Sequence, residues 1–159
     1  ADVFEAHAAA TGQGLNRDAP IPFFLHNILG IQAGESHRLR VPLAILPDGS
    51  VLCAAEVPEG AIVHIMRASA ASAVEAAQEA TRAALAGLGG LQPQAALFFD
   101  CVATRLRMGD EFSDEVAAVR EQLAGADLVG CNTHGQIARG EGQFDGFHNC
   151  TAVVVVVPA

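Results

Sequence analysis

A helical stretch held between two short apolar runs leaves this 159-residue chain few ways to fold. Gln94–Cys101 and Asp127–Asn132 are continuous, apolar and of strand length, which predicts buried strands. Between them Phe112, Val116, Val119 and Leu123 recur at helical spacing, and Gly125 ends the pattern. Two strands joined through a helix pair in parallel, because the crossover returns the chain to the same end of the sheet.

The flanking segments add antiparallel character. Val41, Leu43 and Ile45 alternate, Pro47-Asp48-Gly49-Ser50 supplies a turn, and Val51–Val57 runs apolar, which predicts a hairpin. Pro42 cannot donate to a ladder, so its strand is expected at an edge. Pro58-Glu59-Gly60 then leads into Ala61–Arg67, extending the hairpin to a three-stranded meander. Ser69 or Ser72 can cap the helix that follows, and Ser72 with Glu75 has capping-box spacing. Val74, Ala77, Thr81, Leu85 and Leu88 form its apolar face. A glycine-rich loop, Gly135–Gly146, reaches the last strand, Thr151–Val157, whose valines predict a central position. The order β-β-β-α-β-α-β-β predicts an α+β fold: a mixed sheet with an antiparallel meander and two packed helices. Residues 1–38, broken by Thr11-Gly12-Gln13-Gly14 and Asp18-Ala19-Pro20-Ile21-Pro22, are read as an irregular connector or docking segment, and 39–159 as one domain.

Composition narrows the function. Eighteen acids against nine bases give a formal charge of −9, and all the bases are arginine. Without a basic cluster, nucleic acid and anionic membrane surfaces are not expected partners. The longest apolar run, Ala152–Val157, is far short of the ~20 residues of a membrane span, and no secretory leader is visible. Cys53, Cys101, Cys131 and Cys150 lie in or beside predicted strands without a short-spaced framework. They are therefore expected to be reduced thiols of a cytoplasmic protein. No CxxC or HxxxH pair suggests a structural zinc site.

Candidate chemistry gathers where the two parallel strands end. One exit carries Asp100, Cys101, Thr104 and Arg105, and the other Cys131, Asn132, Thr133, His134 and Gln136; the returning loop adds Asp145, His148, Asn149 and Cys150. Ligands of parallel layouts collect at such carboxyl ends. The ligand-binding candidates are Cys101, Arg105, Asn132, Thr133, His134, Gln136, His148 and Asn149. The plain alternative for Asn132, Thr133 and Asn149 is turn closure through nearby backbone. A thiol enzyme would pair Cys101 with His134, oriented by Asn132 or Asn149, but it needs a stabilised thiolate, and Cys101 is expected to stand several residues from the next helix. His64 alternates with Ile62 and Met66 on one strand face, where it serves as a core histidine or as a haem ligand. The glycine-rich loop matches no phosphate-cradle motif.

Several phrases together resemble the C-terminal domain of the FIST family: Pro47-Asp48-Gly49-Ser50, Glu56-Val57-Pro58-Glu59-Gly60 and Ala96-Leu97-Phe98-Phe99-Asp100-Cys101. Val129–Ile137 followed by Phe147-His148-Asn149-Cys150-Thr151 is similar to the family's closing pattern. The resemblance runs from about Leu39 to Val157. It implies a non-catalytic sensory domain of an intracellular signal-transduction protein, partnered by a FIST N-terminal domain and a signalling effector, and binding a small molecule such as an amino acid. No obligate cofactor is implied. Because some members bind haem and sense nitric oxide, the resemblance also implies a haem alternative, with His64, His134 or His148 as ligand. Gln136 stands where the family commonly has glutamate, and His134 where it commonly has an aromatic residue. The amide both donates and accepts, whereas a carboxylate only accepts.

Overall fold

The computed structural model describes residues 1–34, 36–138 and 146–159. Helices and sheets are both present, and the class is α+β. The chain divides into two compact units, Ala1–Ala68 and a second made of residues 69–138 and 146–159. The division falls at Ala68–Ser69 rather than at Arg38.

The first unit overturns the reading of residues 1–38 as a connector. Helix α1 (Asp2–Thr11) and the short α2 (Ile21–Phe24) bring Phe4, Ala8, Phe23 and Phe24 into one buried cluster. Phe4 meets Phe24 edge-on at 5.0 Å between ring centres. Strand β1 (Asn27–Ala33) is the centre of a three-stranded antiparallel sheet, with β2 (Ser36–Arg40) on one side. The hairpin of β3 (Pro42–Ile45) and β4 (Val51–Cys53) forms as its turn chemistry requires. The meander does not. Strand β5 (Val63–Arg67) leaves the hairpin and pairs antiparallel with β1, placing His64 opposite Gly30 and Met66 opposite Ile28. Gly30 leaves room for the Met66 thioether: a Cβ there would lie 2.2 Å from the sulfur, which the flexible side chain would have to vacate. No local pattern in the sequence signals so distant a partner.

The second unit opens with α3 (Ala70–Ala86). Ser69 caps it: its hydroxyl accepts from the Ser72 N–H at 3.1 Å, while the Ser72 hydroxyl accepts from the Ser69 N–H. The capping box thus uses Ser72 as its far member, not Glu75. Strand β6 (Pro93–Cys101) runs straight into α4 (Val102–Met108), a helix the periodicity did not reveal. A turn of 3₁₀ helix, Gly109–Glu111, joins α4 to α5 (Phe112–Gln122). Strand β7 (Asp127–Thr133) pairs parallel with β6, as the strand–helix–strand reading requires, with Asp100 opposite Asn132 and Cys101 opposite Thr133.

Two short strands, β8 (Gln136–Ala138) and β9 (Gly146–His148), form a ladder within what the sequence presents as loop. Asp145, named above as a candidate, lies outside the described residues. Strand β10 (Val153–Pro158) is antiparallel to β6, and the order β10-β6-β7 puts β6, not the valine-rich last strand, in the middle. Ala96, Phe98 and Asp100 alternate onto one face of β6, all nearly inaccessible. There Phe98 and Ala96 form a core with Ala77, Val119 and Leu123.

Candidate functional site

The alternation of β6 carries an acid onto the buried face. After Ala96 and Phe98 the next inward position is Asp100, 1 % exposed, and its parallel neighbour Asn132 donates from Nδ2 to Asp100 Oδ2 at 3.3 Å. Gly130 precedes Asn132 on the same face of β7. A Cβ there would lie 1.8 Å from the Phe98 carbonyl oxygen, so the close approach of β6 and β7 depends on glycine.

Helix α5 lies over this face and leaves a cavity of about 340 Å³. Its apolar wall is Phe98, Phe112, Val116 and Leu128; its polar groups are Asp100, Asn132 and Arg120, with Cys131 at the edge strand. Arg105, on α4, stacks its guanidinium 5.2 Å from the centre of the Phe112 ring and donates to the Gly109 carbonyl, which steadies one wall.

Beneath the cavity the interior is unusually polar. Glu115 projects from the buried side of α5, 1 % exposed, and its Oε2 has no partner among the described residues. Burial pushes its pKa up from 4.5 to about 7, against the opposing pull of Arg107. Asp100 rises further, from 3.8 to about 8, through burial first and the neighbouring Glu115 charge second. Arg107, half-buried on α4, has Nε and Nη1 without partners among the described residues. Near neutral pH Asp100 holds its proton and Glu115 is close to its midpoint, beside the Arg107 cation.

The remaining sequence candidates divide. Thr133, Gln136, His148 and Asn149 fall instead at the bend between β7 and β8 and in or beside the β8–β9 ladder. Gln136 is 3 % exposed and donates from Nε2 to Thr133 Oγ1 at 2.8 Å, and Thr133 donates in turn to the Gly135 carbonyl. Gln136 Oε1 has no partner among the described residues. His148 pairs across the ladder with Gln136, its Nε2 3.3 Å from the Ala138 carbonyl oxygen. Asn149 is buried, its side chain 3.4 Å from the His148 carbonyl. His134 is exposed at the bend after β7.

Of the eight candidates, only Asn132 lines the cavity. Cys101 is buried at the junction of β6 and α4, with no gap before the helix, which corrects the expected spacing of several residues. No histidine lines the cavity, and His64 belongs to the first unit, where its ring meets His37 edge-on at 5.1 Å. The cavity lining therefore offers haem iron no imidazole. Arg107, Glu115 and Arg120 escaped sequence reading. Glu115 alone left a signal, since it falls three residues after Phe112 and four before Val119, on the apolar face of its helix.

A family model described as the FIST C domain matches residues 2–139. The match takes in the helix and strands of residues 1–38 and ends before the Phe147-His148-Asn149-Cys150-Thr151 stretch. No curated protein and no solved structure matches the chain significantly. The chain belongs to the FIST C family, sensory domains of signal-transduction proteins.

Proposed function

We propose that this FIST C domain is a non-catalytic sensor of a small amino-acid-like molecule, which it binds in the cavity between α5 and the carboxyl ends of β6 and β7. The observation that carries this reading is the cavity's composition. About 340 Å³ lies within the range of small-molecule sites, and an apolar wall with a few convergent polar groups is their usual chemistry. The ligand's side chain packs among Phe98, Phe112, Val116 and Leu128. Its carboxylate faces Arg120 and the Asn132 amide, and its ammonium faces Asp100. Because burial keeps Asp100 protonated near neutral pH, an arriving ammonium favours the ionised form, and binding releases a proton. A resting acid that ionises on binding gives the domain two electrostatic states, as a sensor needs.

A panel of the standard amino acids, screened by thermal shift and followed by calorimetry in two buffers of different ionisation enthalpy, tests the reading. A binder should release up to one proton near pH 7, lose at least tenfold affinity in Asn132→Ala, and fail to bind Val116→Phe, whose ring fills the cavity. Unchanged affinity in a folded Val116→Phe would overturn the assignment.

A further inference from the structure

One face of the first unit's sheet gathers two imidazoles and a thioether that the ligand cavity does not use. We propose that His37, His64 and Met66 form a binding site for a soft monovalent metal ion, copper(I), held over Gly30. Strand register places the three donors. His64 of β5 lies directly opposite Gly30 of β1, and His37 of β2 directly opposite Gln32, two residues further along the same strand. Residues two apart on a strand share a face, so His37, His64, Met66 and Gln32 all project from one side of the sheet.

Strands β2 and β5 are not neighbours. Strand β1 runs between them, so their backbones stand roughly 9–10 Å apart, twice the ~4.8 Å spacing of adjacent strands. The two rings meet nevertheless, with centres 5.1 Å apart and planes at 88°. Gly30 permits this reach because it raises no side chain between them. A Cβ at Gly30 would meet Met66 Sδ first and His37 Cβ next, the latter at 3.3 Å, so the thioether and the His37 side chain border the same gap. His64 is exposed while His37 and Met66 are half-buried, which leaves the gap open to an ion from solvent.

The spacing suits a shared metal. Imidazole nitrogens ligate at roughly 2.0–2.1 Å and the ring centre lies about 1 Å beyond, so two rings on one tetrahedral ion have centres about 5 Å apart. The orientation of His64 is fixed from behind. Its Nε2 lies 3.4 Å from Gln32 Oε1, which only accepts, so that nitrogen carries the proton and Nδ1 keeps its lone pair. A far ring nitrogen donating to a carbonyl oxygen is the usual support of a metal-ligating histidine.

The donor set selects the ion. No group of three His, Cys, Asp or Glu suited to a metal occurs among the described residues, so the third donor here is the thioether. Structural zinc sites are closed by thiolate, imidazole or carboxylate, whereas thioether sulfur selects copper(I). All three donors are neutral, which suits an ion of single charge. Arg38, Arg40 and Arg67 alternate onto the opposite face of the sheet.

The experiment titrates the full chain, isotope-labelled at its methionine methyl groups, with copper(I) under anaerobic ascorbate after iodoacetamide has blocked the accessible thiols. The chain has two methionines, and Met108, buried in the second unit, is the internal control. The Met66 methyl and the ring protons of His37 and His64 should shift together and saturate at a single equivalent, with Met108 unmoved. Met66→Leu, which keeps the side-chain volume, should weaken copper(I) binding about tenfold or more. Gln32→Ala should weaken it roughly 10–100-fold by freeing the His64 ring, and Gln32→Glu, which keeps an accepting oxygen, should retain it. Circular dichroism establishes that each variant is folded, and the wild-type titration decides the matter by itself where one is not. A Met66 methyl that stays in place under excess copper(I), unchanged affinity in folded Met66→Leu, or zinc(II) bound more tightly than copper(I) would overturn the proposal. The site lies within the first unit and the titration contains no amino-acid ligand, so its outcome stands apart from the sensor reading.

Discussion

Replacing Glu115 by glutamine should make the domain more stable in alkali while leaving it nearly unchanged in acid. Folded Glu115 holds its proton up to about pH 7, whereas the unfolded chain releases it near 4.5. The folded state therefore binds more protons across this window. Its contribution is fully present below pH 4.5 and lost once pH has risen through 7. That gap corresponds to roughly 3 kcal/mol at the ~1.4 kcal/mol that each pKa unit represents. Relaxation and water entry reduce it in practice, so the expected gain of Glu115→Gln over wild type is about 1–2 kcal/mol at pH 8.5. Near pH 4.5 the gain should be within about 0.5 kcal/mol, because an amide and a protonated carboxyl have similar shape and hydrogen-bonding capacity. Urea titrations followed by circular dichroism measure this directly, as the chain has neither tryptophan nor tyrosine to report by fluorescence. A stability difference that is the same at both pH values would show that Glu115 does not titrate in the window its burial demands.

Gly130→Ala should cost about 3 kcal/mol or more, because the added methyl meets the Phe98 carbonyl backbone rather than a movable side chain; a urea midpoint within error of wild type would contradict the packing. Ser69→Ala removes one half of a reciprocal cap and should cost about 1 kcal/mol, readable as a lower urea midpoint at unchanged slope. Haem titration should give no stoichiometric Soret band, since none of His64, His134 and His148 lines the cavity; a band abolished by His64→Ala would refute that.

The parallel pairing of β6 and β7 and the hairpin of β3 and β4 were legible because each rests on local signals: continuous apolar runs around a helical repeat, and a Pro-Asp-Gly-Ser turn. The long-range choices were not. The pairing of β5 with β1 joins segments far apart in the chain, and the edge position of β10 depends on which flank of β6 is already occupied. Neither leaves a periodic trace. The N-terminal cluster escaped because α1 is mostly alanine, and Phe4 and Ala8 alone mark its inward face. At the site, the sequence pointed to the carboxyl ends of β6 and β7, where Asn132 lines the cavity, while Gln136 and His148 pair in the β8–β9 ladder outside its lining. The cavity instead borrows its wall from α5, and only the tertiary fold brings Phe112, Val116 and Arg120 over β7.

The central claim, that a small amino-acid-like molecule binds between α5 and β7, is tested most directly by amide chemical-shift mapping of the labelled chain against the amino-acid panel. The account predicts a saturable ligand whose perturbations centre on Phe98, Phe112, Val116 and Leu128–Asn132, and which vanish in Val116→Phe. A saturable ligand whose shifts centre on the β8–β9 ladder or on residues 1–68, leaving α5 and β7 untouched, would contradict it.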